Sequence, residues 1–293
     1  MLLHHTHGVL VRAEQEAMSG RLDATLDVLR ELSLDDFGLV LLAMPDPRHP
    51  ALSSVLPKMA DEQVQRDWTG NAGVPLLAQS LNFVRSVALK YREATGAALQ
   101  EASILDFGCG YGRLLRLMTF YAPPSRIWGV DPWNRSLEIC QADRMPMHLA
   151  LSDYLPRSLP VGEARFELIY AFSVFTHLSR RTTLMALATL RQHVAADGLL
   201  VITTRPREYW GVAAASGQSV DGAIDVAARM REHEEEGFTF IPHDRAPIEG
   251  EVTYGDTSMT LDWLSRHAEG WRVDGYDHTL DDFHQLIVYL RPV

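Results

Sequence analysis

Lysine and cysteine are both scarce in this chain of 293 residues, which carries two of each. Acidic side chains outnumber basic ones by 38 to 27, which gives a formal net charge of -11. A protein that binds a phosphate backbone needs clustered lysine and arginine to displace counterions. The two lysines are Lys58 and Lys90, and the arginines are scattered along the sequence. The composition therefore predicts that nucleic acid is not the substrate.

The two cysteines, Cys109 and Cys140, are too few for a disulfide framework and do not have the spacing of metal ligands. We expect them to be buried free thiols in a reducing compartment. The N-terminal segment lacks the basic and apolar regions of a signal peptide. No uncharged apolar run approaches the ~20 residues that cross a bilayer. The sequence therefore predicts a cytoplasmic protein that does not bind membranes.

Two regions of the chain differ in their patterns. Residues 1–73 show no alternation of strands and helices, and we expect a helical or irregular N-terminal extension there. Leucines between residues 19 and 34 follow the spacing of one helix face. Four prolines in residues 44–57 are expected to exclude regular structure over most of that passage. Helical spacing returns over residues 76–94.

Residues 74–293 show short apolar runs that alternate with amphipathic stretches. This pattern is typical of βαβ units and of a mainly parallel sheet. Gly198 is placed to cap a helix C-terminus in a left-handed conformation. The predicted strands are residues 103–107, 126–131, 147–151, 166–171, 199–204, 271–276 and 285–290, the last two as an antiparallel hairpin at a sheet edge. The predicted helices are residues 112–121, 135–142, 181–194 and 259–268.

The alternation is interrupted at about residues 205–258, which we interpret as an inserted cap or lid. It contains a charged helical stretch and a loop rich in proline, glycine and histidine. Its aromatic and polar side chains suit a pocket for a polar small molecule, although a solvated loop that packs its aromatics on the sheet remains the alternative. These side chains are Arg207, Glu208, Tyr209, Trp210, His243, Asp244, Arg245, Tyr254 and Asp256.

The segment ILDFGCGYGR (104–113) lies where the first predicted strand meets the first helix of this region. Asp106 ends the strand with a carboxylate that can meet an ammonium group. Gly108, Gly110 and Gly112 leave no Cβ atoms in the turn, so the backbone can lie directly against a ligand. The helix N-terminus that follows favours a carboxylate. An amino-acid zwitterion beside a nucleoside matches these features.

Further polar and aromatic residues end the next two predicted strands. Asp131 can accept hydrogen bonds from both hydroxyls of a ribose. Pro132 and Trp133 follow, and the indole can pack against an adenine face. Ser152 and Asp153 end the third strand, where a side chain can meet the adenine amino group.

From residue 103 onward, apart from the insertion, the chain resembles the class I S-adenosylmethionine-dependent methyltransferases. Asp106, Gly108, Gly110 and Gly112 match their E/DxGxGxG motif, and Asp131 matches their acidic ribose-binding residue. The stretch FELIYAFSVFTHLS is similar to their fourth motif. The resemblance implies a seven-stranded, mainly parallel sheet with helices on both faces and an antiparallel last strand. It also implies S-adenosylmethionine as the cofactor.

The same resemblance suggests further site residues. The approach to the helix at residues 76–94 often covers the cofactor in such enzymes, which makes Trp68 and Gly70 candidates. Phe172 lies at the end of the fourth strand, whose carbonyl groups can receive the methionine ammonium. His177 follows this strand on the expected acceptor side and is the candidate general base. A structural histidine bonded to a loop carbonyl is the alternative.

The fourth motif lacks the signatures of amide, adenine and pyrimidine methylation and an acidic cluster for Mg²⁺. We therefore expect a metal-independent transfer to an oxygen or nitrogen atom of a small molecule, such as a sugar or a secondary metabolite. A protein or nucleic-acid acceptor, or an inactive cofactor-binding domain, are the alternatives. A nicotinamide-dependent dehydrogenase would need G-x-G-x-x-G, which this loop does not have. The oligomeric state is not indicated.

Overall fold

The computed structural model describes residues 2–216 and 224–293. The fold is α/β, with a seven-stranded, mainly parallel sheet. The chain divides into two compact units, Met1–Leu151 and Ser152–Val293. Among the helices of the described residues, none is long and apolar enough to cross a membrane.

The first unit begins with a helical region that extends to residue 95. Apolar side chains on one face of each longer helix are buried, as Val84, Val87 and Tyr91 are on the last helix, and this is the pattern of amphipathic helices that cover a core. The helices are α1 (His7–Met18), α2 (Leu22–Leu29), α3 (Leu34–Ala43), α4 (Pro50–Val55), α5 (Glu62–Thr69) and α6 (Gly73–Thr95).

The rest of the first unit alternates strands and helices: β1 (Ile104–Phe107), α7 (Arg113–Met118), β2 (Ile127–Asp131), α8 (Asn134–Ala142) and β3 (His148–Leu151). β2 pairs in parallel with β1 on one side and with β3 on the other. β1 is buried along its whole length, as expected for a strand covered on both faces. The predicted strands and helices of this part are confirmed, with ends that differ by up to three residues.

The second unit contains β4 (Phe166–Ala171), α9 (Arg180–His193), β5 (Val194–Thr204), α10 (Tyr209–Ser216), α11 (Val226–Glu236), β6 (Phe238–Pro242), β7 (Gly255–Met259), α12 (Leu261–His267), β8 (Trp271–His278) and β9 (Leu286–Pro292). Its strands in the large sheet follow the order β4-β5-β9-β8. β4 and β5 are parallel, whereas β9 is antiparallel to both β5 and β8. The predicted antiparallel last strand and edge hairpin are confirmed.

The predicted role of Gly198 is wrong. α9 ends at His193, and Gly198 lies inside β5 instead of capping a helix. A Cβ atom at Gly198 would lie 2.8 Å from Cγ2 of Val194 and 3.1 Å from the carbonyl oxygen of Glu167. Glycine is therefore required there for close packing within the sheet.

The proline-rich passage at residues 44–57 is irregular over most of its length, as expected, and its helix, α4, begins at Pro50, where a missing N–H is tolerated. Another expectation from the sequence needs correction. The loop expected within the insertion begins and ends in strands, β6 and β7, which pair antiparallel. Consequently Met259, expected to begin a helix, ends β7, and Thr260 caps α12 by accepting a hydrogen bond from the amide of Trp263.

Within the first unit, the buried side chain of Arg116 joins three segments of the chain. Its guanidinium donates to the carbonyl oxygen of Lys58 at 2.8 Å, to that of Tyr111 at 2.6 Å and to the carboxylate of Asp143 at 2.8 Å. Arg116 is fully buried and Asp143 is nearly so. The helical N-terminal region is thus bonded to α7 and to the end of α8.

We expect Arg116→Met to lower the free energy of unfolding by about 3–5 kcal/mol, because it leaves the buried carboxylate of Asp143 without its partner. Denaturant unfolding followed by circular dichroism measures this change. The matched control is Arg12→Met, since Arg12 pairs with Glu31 at an exposed position and should contribute at most ~1 kcal/mol. Equal losses in the two variants would contradict the assigned role of Arg116.

Candidate active site

The loop between β1 and α7 has a backbone shape that its glycines permit. Gly108, Gly110 and Gly112 have φ values of 81°, 54° and 76°, a left-handed region that other residues enter only with strain. The amide groups of Gly108 and Cys109 both donate to the carbonyl oxygen of Val130, at 2.8 and 3.0 Å. The loop is therefore folded back onto the end of β2.

The carboxylate of Asp131 completes this attachment. Oδ2 accepts a hydrogen bond from the amide of Gly110 at 2.9 Å. Oδ1 accepts from the amide of Trp133 at 2.9 Å and from the hydroxyl of Ser136 at 2.8 Å. Burial raises the pKa of Asp131, and these three hydrogen bonds oppose that rise. A carboxylate has about four acceptor positions, so roughly one is left for a ligand hydroxyl, not the two expected from the sequence.

Aromatic rings cover the same loop. The indole of Trp68, on α5, stacks on that of Trp133 with a centroid distance of 4.9 Å and an interplanar angle of 22°. It also meets the ring of Tyr111 edge to face at 5.5 Å. A Cβ atom built at Gly110 would lie 3.5 Å from the Trp68 ring, so the indole lies directly over the glycine. Gly70, with φ of 74°, ends α5 in a left-handed conformation, which is a structural role.

Asp106 and the two cysteines beside the loop are buried. Asp106 is 2% exposed at the end of β1. Cys109 and Cys140 are buried free thiols, as expected, and both contact the carbonyl oxygen of Gly110. A hydrogen bond to Cys140 and burial raise the pKa of Cys109, which makes it a poor nucleophile. Pro132 follows Asp131 directly and is half-buried.

Four of the predicted site residues belong to the second unit: Ser152, Asp153, Phe172 and His177. Ser152 is buried, Asp153 is exposed and Phe172 is half-buried just beyond β4. Ser173, which follows, has a positive φ of 58° and its amide donates to the hydroxyl of Thr203 at 2.7 Å. Non-glycine residues in this conformation occur often at functional sites. Cofactor binding by Ser152, Asp153 and Phe172 stays a prediction.

His177 lies in the turn between β4 and α9 with both ring nitrogens occupied. Nδ1 is 2.8 Å from the carbonyl oxygen of Gly255, and a carbonyl only accepts, so Nδ1 carries the proton. Nε2 is 3.2 Å from the guanidinium of Arg205, which only donates, so Nε2 accepts. Burial and the nearby charge of Arg205 lower the pKa of His177 to about 3. This geometry favours the structural alternative over the general base predicted from the sequence.

A second polar group lies at the carboxyl end of β5, around Asp256 on β7. We call the side chains of His177, Arg205, Tyr209, His243 and Asp256 the Asp256 cluster. Asp256 Oδ1 accepts from the guanidinium of Arg205 at 2.6 Å and from the hydroxyl of Tyr209 at 2.8 Å. Asp256 Oδ2 lies 3.0 Å from Nε2 of His243. Burial raises the pKa of Asp256, but His243, Arg205 and Tyr209 together hold it well below its usual range.

The sequence did not predict this cluster as a unit. It identified the insertion as rich in aromatic and polar residues, yet the pairing of β6 with β7 is what brings His243 to Asp256. Trp210, expected as a pocket residue, is fully buried and packs with Tyr209 and Ala213 as a core. Within residues 2–216 and 224–293, no group of three or more His, Cys, Asp or Glu side chains is arranged to hold a metal ion.

Comparison with known proteins gives one family. The model of a methyltransferase domain family matches residues 79–246, more than half of the chain. No curated protein sequence matches the chain.

Solved structures are similar at low sequence identity. The glycopeptide N-methyltransferase MtfA complexed with sinefungin is 13% identical, with a TM-score of 0.47 and a match over 70% of this chain and 92% of that chain. DesVI of Streptomyces venezuelae is 16% identical, with a TM-score of 0.49 over 80% and 100%. An S-adenosylmethionine-dependent methyltransferase of Clostridium acetobutylicum is 10% identical, with a TM-score of 0.48 over 80% and 92%.

The neutral state of His177 predicts a dependence of stability on pH. In the unfolded chain this imidazole takes up a proton below about pH 6.5, whereas in the folded chain it does so only near pH 3. Its contribution to stability is therefore present above pH 6.5 and is lost as the pH falls from 6.5 to 3, at up to ~1.4 kcal/mol per pH unit.

Denaturant unfolding at pH 7, 6, 5 and 4 measures this dependence. His177→Gln, whose side-chain oxygen can still accept from Arg205, should lose stability less steeply than the wild type as the pH falls. The control variant His278→Gln changes an exposed histidine on β8 and should keep the wild-type slope. A wild-type slope in His177→Gln would show that His177 is not held neutral.

Proposed function

The chain belongs to the methyltransferase domain family. We propose that it transfers a methyl group to an oxygen or nitrogen atom of a small molecule and that it does so without a metal ion. It is an enzyme, and its cofactor is S-adenosylmethionine. When bound, this cofactor supplies a methyl group activated by a positively charged sulfur. The protein then has to align the acceptor with that methyl group and exclude water.

The observation that carries the proposal is the glycine loop held by Asp131. Three left-handed glycines give the loop a surface without side chains, and a hydrogen bond from Gly110 fixes it beside the carboxylate. Asp131 retains about one acceptor position for a ribose hydroxyl. Asp106 ends the neighbouring strand with a buried carboxylate, which suits an ammonium group. These two carboxylates and the open surface of the loop fit a nucleoside that carries an amino acid.

Trp68 and Trp133 also belong to the proposed cofactor site. A nucleobase between two rings needs a separation of about 7 Å, twice the contact distance of carbon atoms, and their centroids are 4.9 Å apart. The indole of Trp68 also lies over Gly110. We infer that a cofactor on the glycine loop opens this stack and that Trp68 then covers the bound cofactor.

The insertion supports a small acceptor. Tyr209, Trp210 and Ala213 of α10 form a buried core against which Val226 of α11 and Ile241 of β6 pack. The indole of Trp210 also donates to the hydroxyl of Ser258 on β7 at 2.8 Å. Polar and aromatic side chains cluster around Asp256 at the carboxyl ends of β4 and β5, the edge where open α/β sheets bind their ligands. We infer that residues 205–258, of which 217–223 lie outside the described residues, form a cap for the acceptor, in a domain that spans residues 74–293. Residues 1–73 are an extension that carries Trp68.

Asp131→Ala should weaken S-adenosylmethionine binding by about 1.5–3 kcal/mol, because one charge-assisted hydrogen bond is lost and the amide of Gly110 loses its acceptor. Titration calorimetry measures the change, with circular dichroism to verify folding. Asp27→Ala removes an exposed carboxylate of α2 and should bind as the wild type does. Wild-type affinity in a folded Asp131→Ala variant would remove Asp131 from the site.

Trp68→Ala should weaken binding of S-adenosylhomocysteine about tenfold, and Trp68→Phe less than threefold, because an aromatic ring can still cover the ligand. In the wild type, the ligand should change tryptophan fluorescence as the stack opens, and this change should be absent in both Trp68 variants. Trp271→Phe, a substitution in β8, should keep the change. Tighter binding by Trp68→Ala would mean that the indole blocks the site and does not cover the ligand.

A further inference from the structure

His243 follows β6, and one of its two ring nitrogens is hydrogen-bonded to Asp256. Asp256 is an ionised acceptor, since its pKa is held low, so Nε2 of His243 must carry the proton of their 3.0 Å hydrogen bond. In the neutral imidazole Nδ1 is then the acceptor, and it has no hydrogen-bond partner among the described residues. The side chain of His243 is 26% exposed, compared with 17% for His177.

Asp256 is held rigidly enough to orient this imidazole. Two donors, the Arg205 guanidinium and the Tyr209 hydroxyl, hold Oδ1, and Oδ2 faces His243. The position of β7, the strand that carries Asp256, is fixed as well. The amide of Gly255 donates to the carbonyl oxygen of His177 at 2.8 Å, and a Cβ atom at Gly255 would lie 2.0 Å from the carbonyl oxygen of Ile241. Only glycine fits there.

Two other rings lie against the imidazole of His243. Its ring meets that of Tyr254 edge to face at 5.5 Å and that of His177 at 6.3 Å. Tyr254 stacks in parallel on His177 at 4.9 Å, and the guanidinium of Arg245 lies 4.1 Å from the centroid of the Tyr254 ring. Asp256 forms an ion pair with Arg205 through Oδ1. Its Oδ2 accepts the hydrogen bond that fixes the tautomer of His243. This is the geometry of an imidazole base oriented by a carboxylate.

We propose that His243 is the proton acceptor of the methyl transfer and that Asp256 is its positioning residue; this rests on the proposed function. As the acceptor oxygen or nitrogen forms a bond to the methyl carbon, the bond from that carbon to sulfur breaks and its electron pair stays on sulfur. The proton of the acceptor passes to Nδ1 of His243, which becomes an imidazolium paired with Asp256. The acceptor is therefore a hydroxyl group or an amine N–H, whose proton leaves as the bond to the methyl carbon forms.

The kinetic test compares the wild type, His243→Gln and the control His278→Gln. The acceptor is whichever compound gives the fastest S-adenosylhomocysteine formation in a panel of phenols, amino sugars and hydroxylated heterocycles. His243→Gln should lower kcat about 10²–10⁴-fold, with S-adenosylmethionine affinity within about twofold of the wild type. The acid limb of the pH–rate profile should disappear as well. A loss of less than fivefold with the acid limb retained would overturn the proposal.

A second measurement does not depend on turnover. Long-range ¹H–¹⁵N NMR spectra of the full chain report which ring nitrogen carries the proton. His243 should be protonated on Nε2 in the wild type, and Asp256→Asn should give a mixture of tautomers. Diethyl pyrocarbonate at neutral pH should modify His243 but not His177. Protonation of Nδ1 in the wild type, or modification of His177 before His243, would overturn the proposal.

Different results would contradict the small-acceptor function and the assignment of His243 as the proton acceptor. If the wild type binds S-adenosylmethionine but methylates no member of the panel, the small-acceptor function fails, while the NMR and modification results still decide the state of His243. If the wild type turns over and His243→Gln does so equally well, the assignment of the base fails and the function stands.

Discussion

The hydrogen bond from the amide of Gly110 to the carboxylate of Asp131 is the contact on which the cofactor site depends. It joins a loop that follows β1 to the end of β2, and it requires both a left-handed glycine and a buried carboxylate. Without that bond, the loop would be attached to β2 only through the amides of Gly108 and Cys109, which donate to the carbonyl oxygen of Val130. Because the amides of Gly108, Cys109 and Gly110 donate within the protein, the loop serves the cofactor by its shape.

Asp256 has a comparable role in the second unit. Each of these carboxylates is buried and accepts three hydrogen bonds. They differ in their electrostatics. Burial dominates at Asp131 and raises its pKa, whereas Arg205 and His243 lower the pKa of Asp256. Asp131 holds two backbone amides and the hydroxyl of Ser136. Asp256 holds three side chains, one of which, His243, is the proposed proton acceptor.

Much of the fold could be predicted from the sequence because its signals are local. Alternating apolar runs gave the strands of the large sheet, and the spacing of Gly108, Gly110 and Gly112 gave the loop and its position after a strand. Gly198 was misread because a glycine after a helix suits either a cap or a crowded strand, and only the neighbouring Glu167 distinguishes them. The pair β6 and β7 was missed because its strands are short and separated by a long connection.

The chemistry of the candidate site could be predicted less well. The position of His177 after β4 suggested a base, but its state depends on Arg205 and Gly255, which are 28 and 78 residues away in sequence. The tautomer of His243 likewise depends on Asp256, thirteen residues away across a strand pair. Such contacts follow from the register of strands and from burial, and no spacing in the sequence records them.

The central claim is that the enzyme methylates a small molecule. The most direct measurement supplies the purified enzyme with S-adenosylmethionine labelled in its methyl group and with a cell extract separated into small-molecule, protein and nucleic-acid fractions. We predict label in the small-molecule fraction, in amounts equal to the S-adenosylhomocysteine formed and unchanged by a metal chelator. Label recovered in protein or nucleic acid, or transfer that stops when the chelator is added, would contradict the claim.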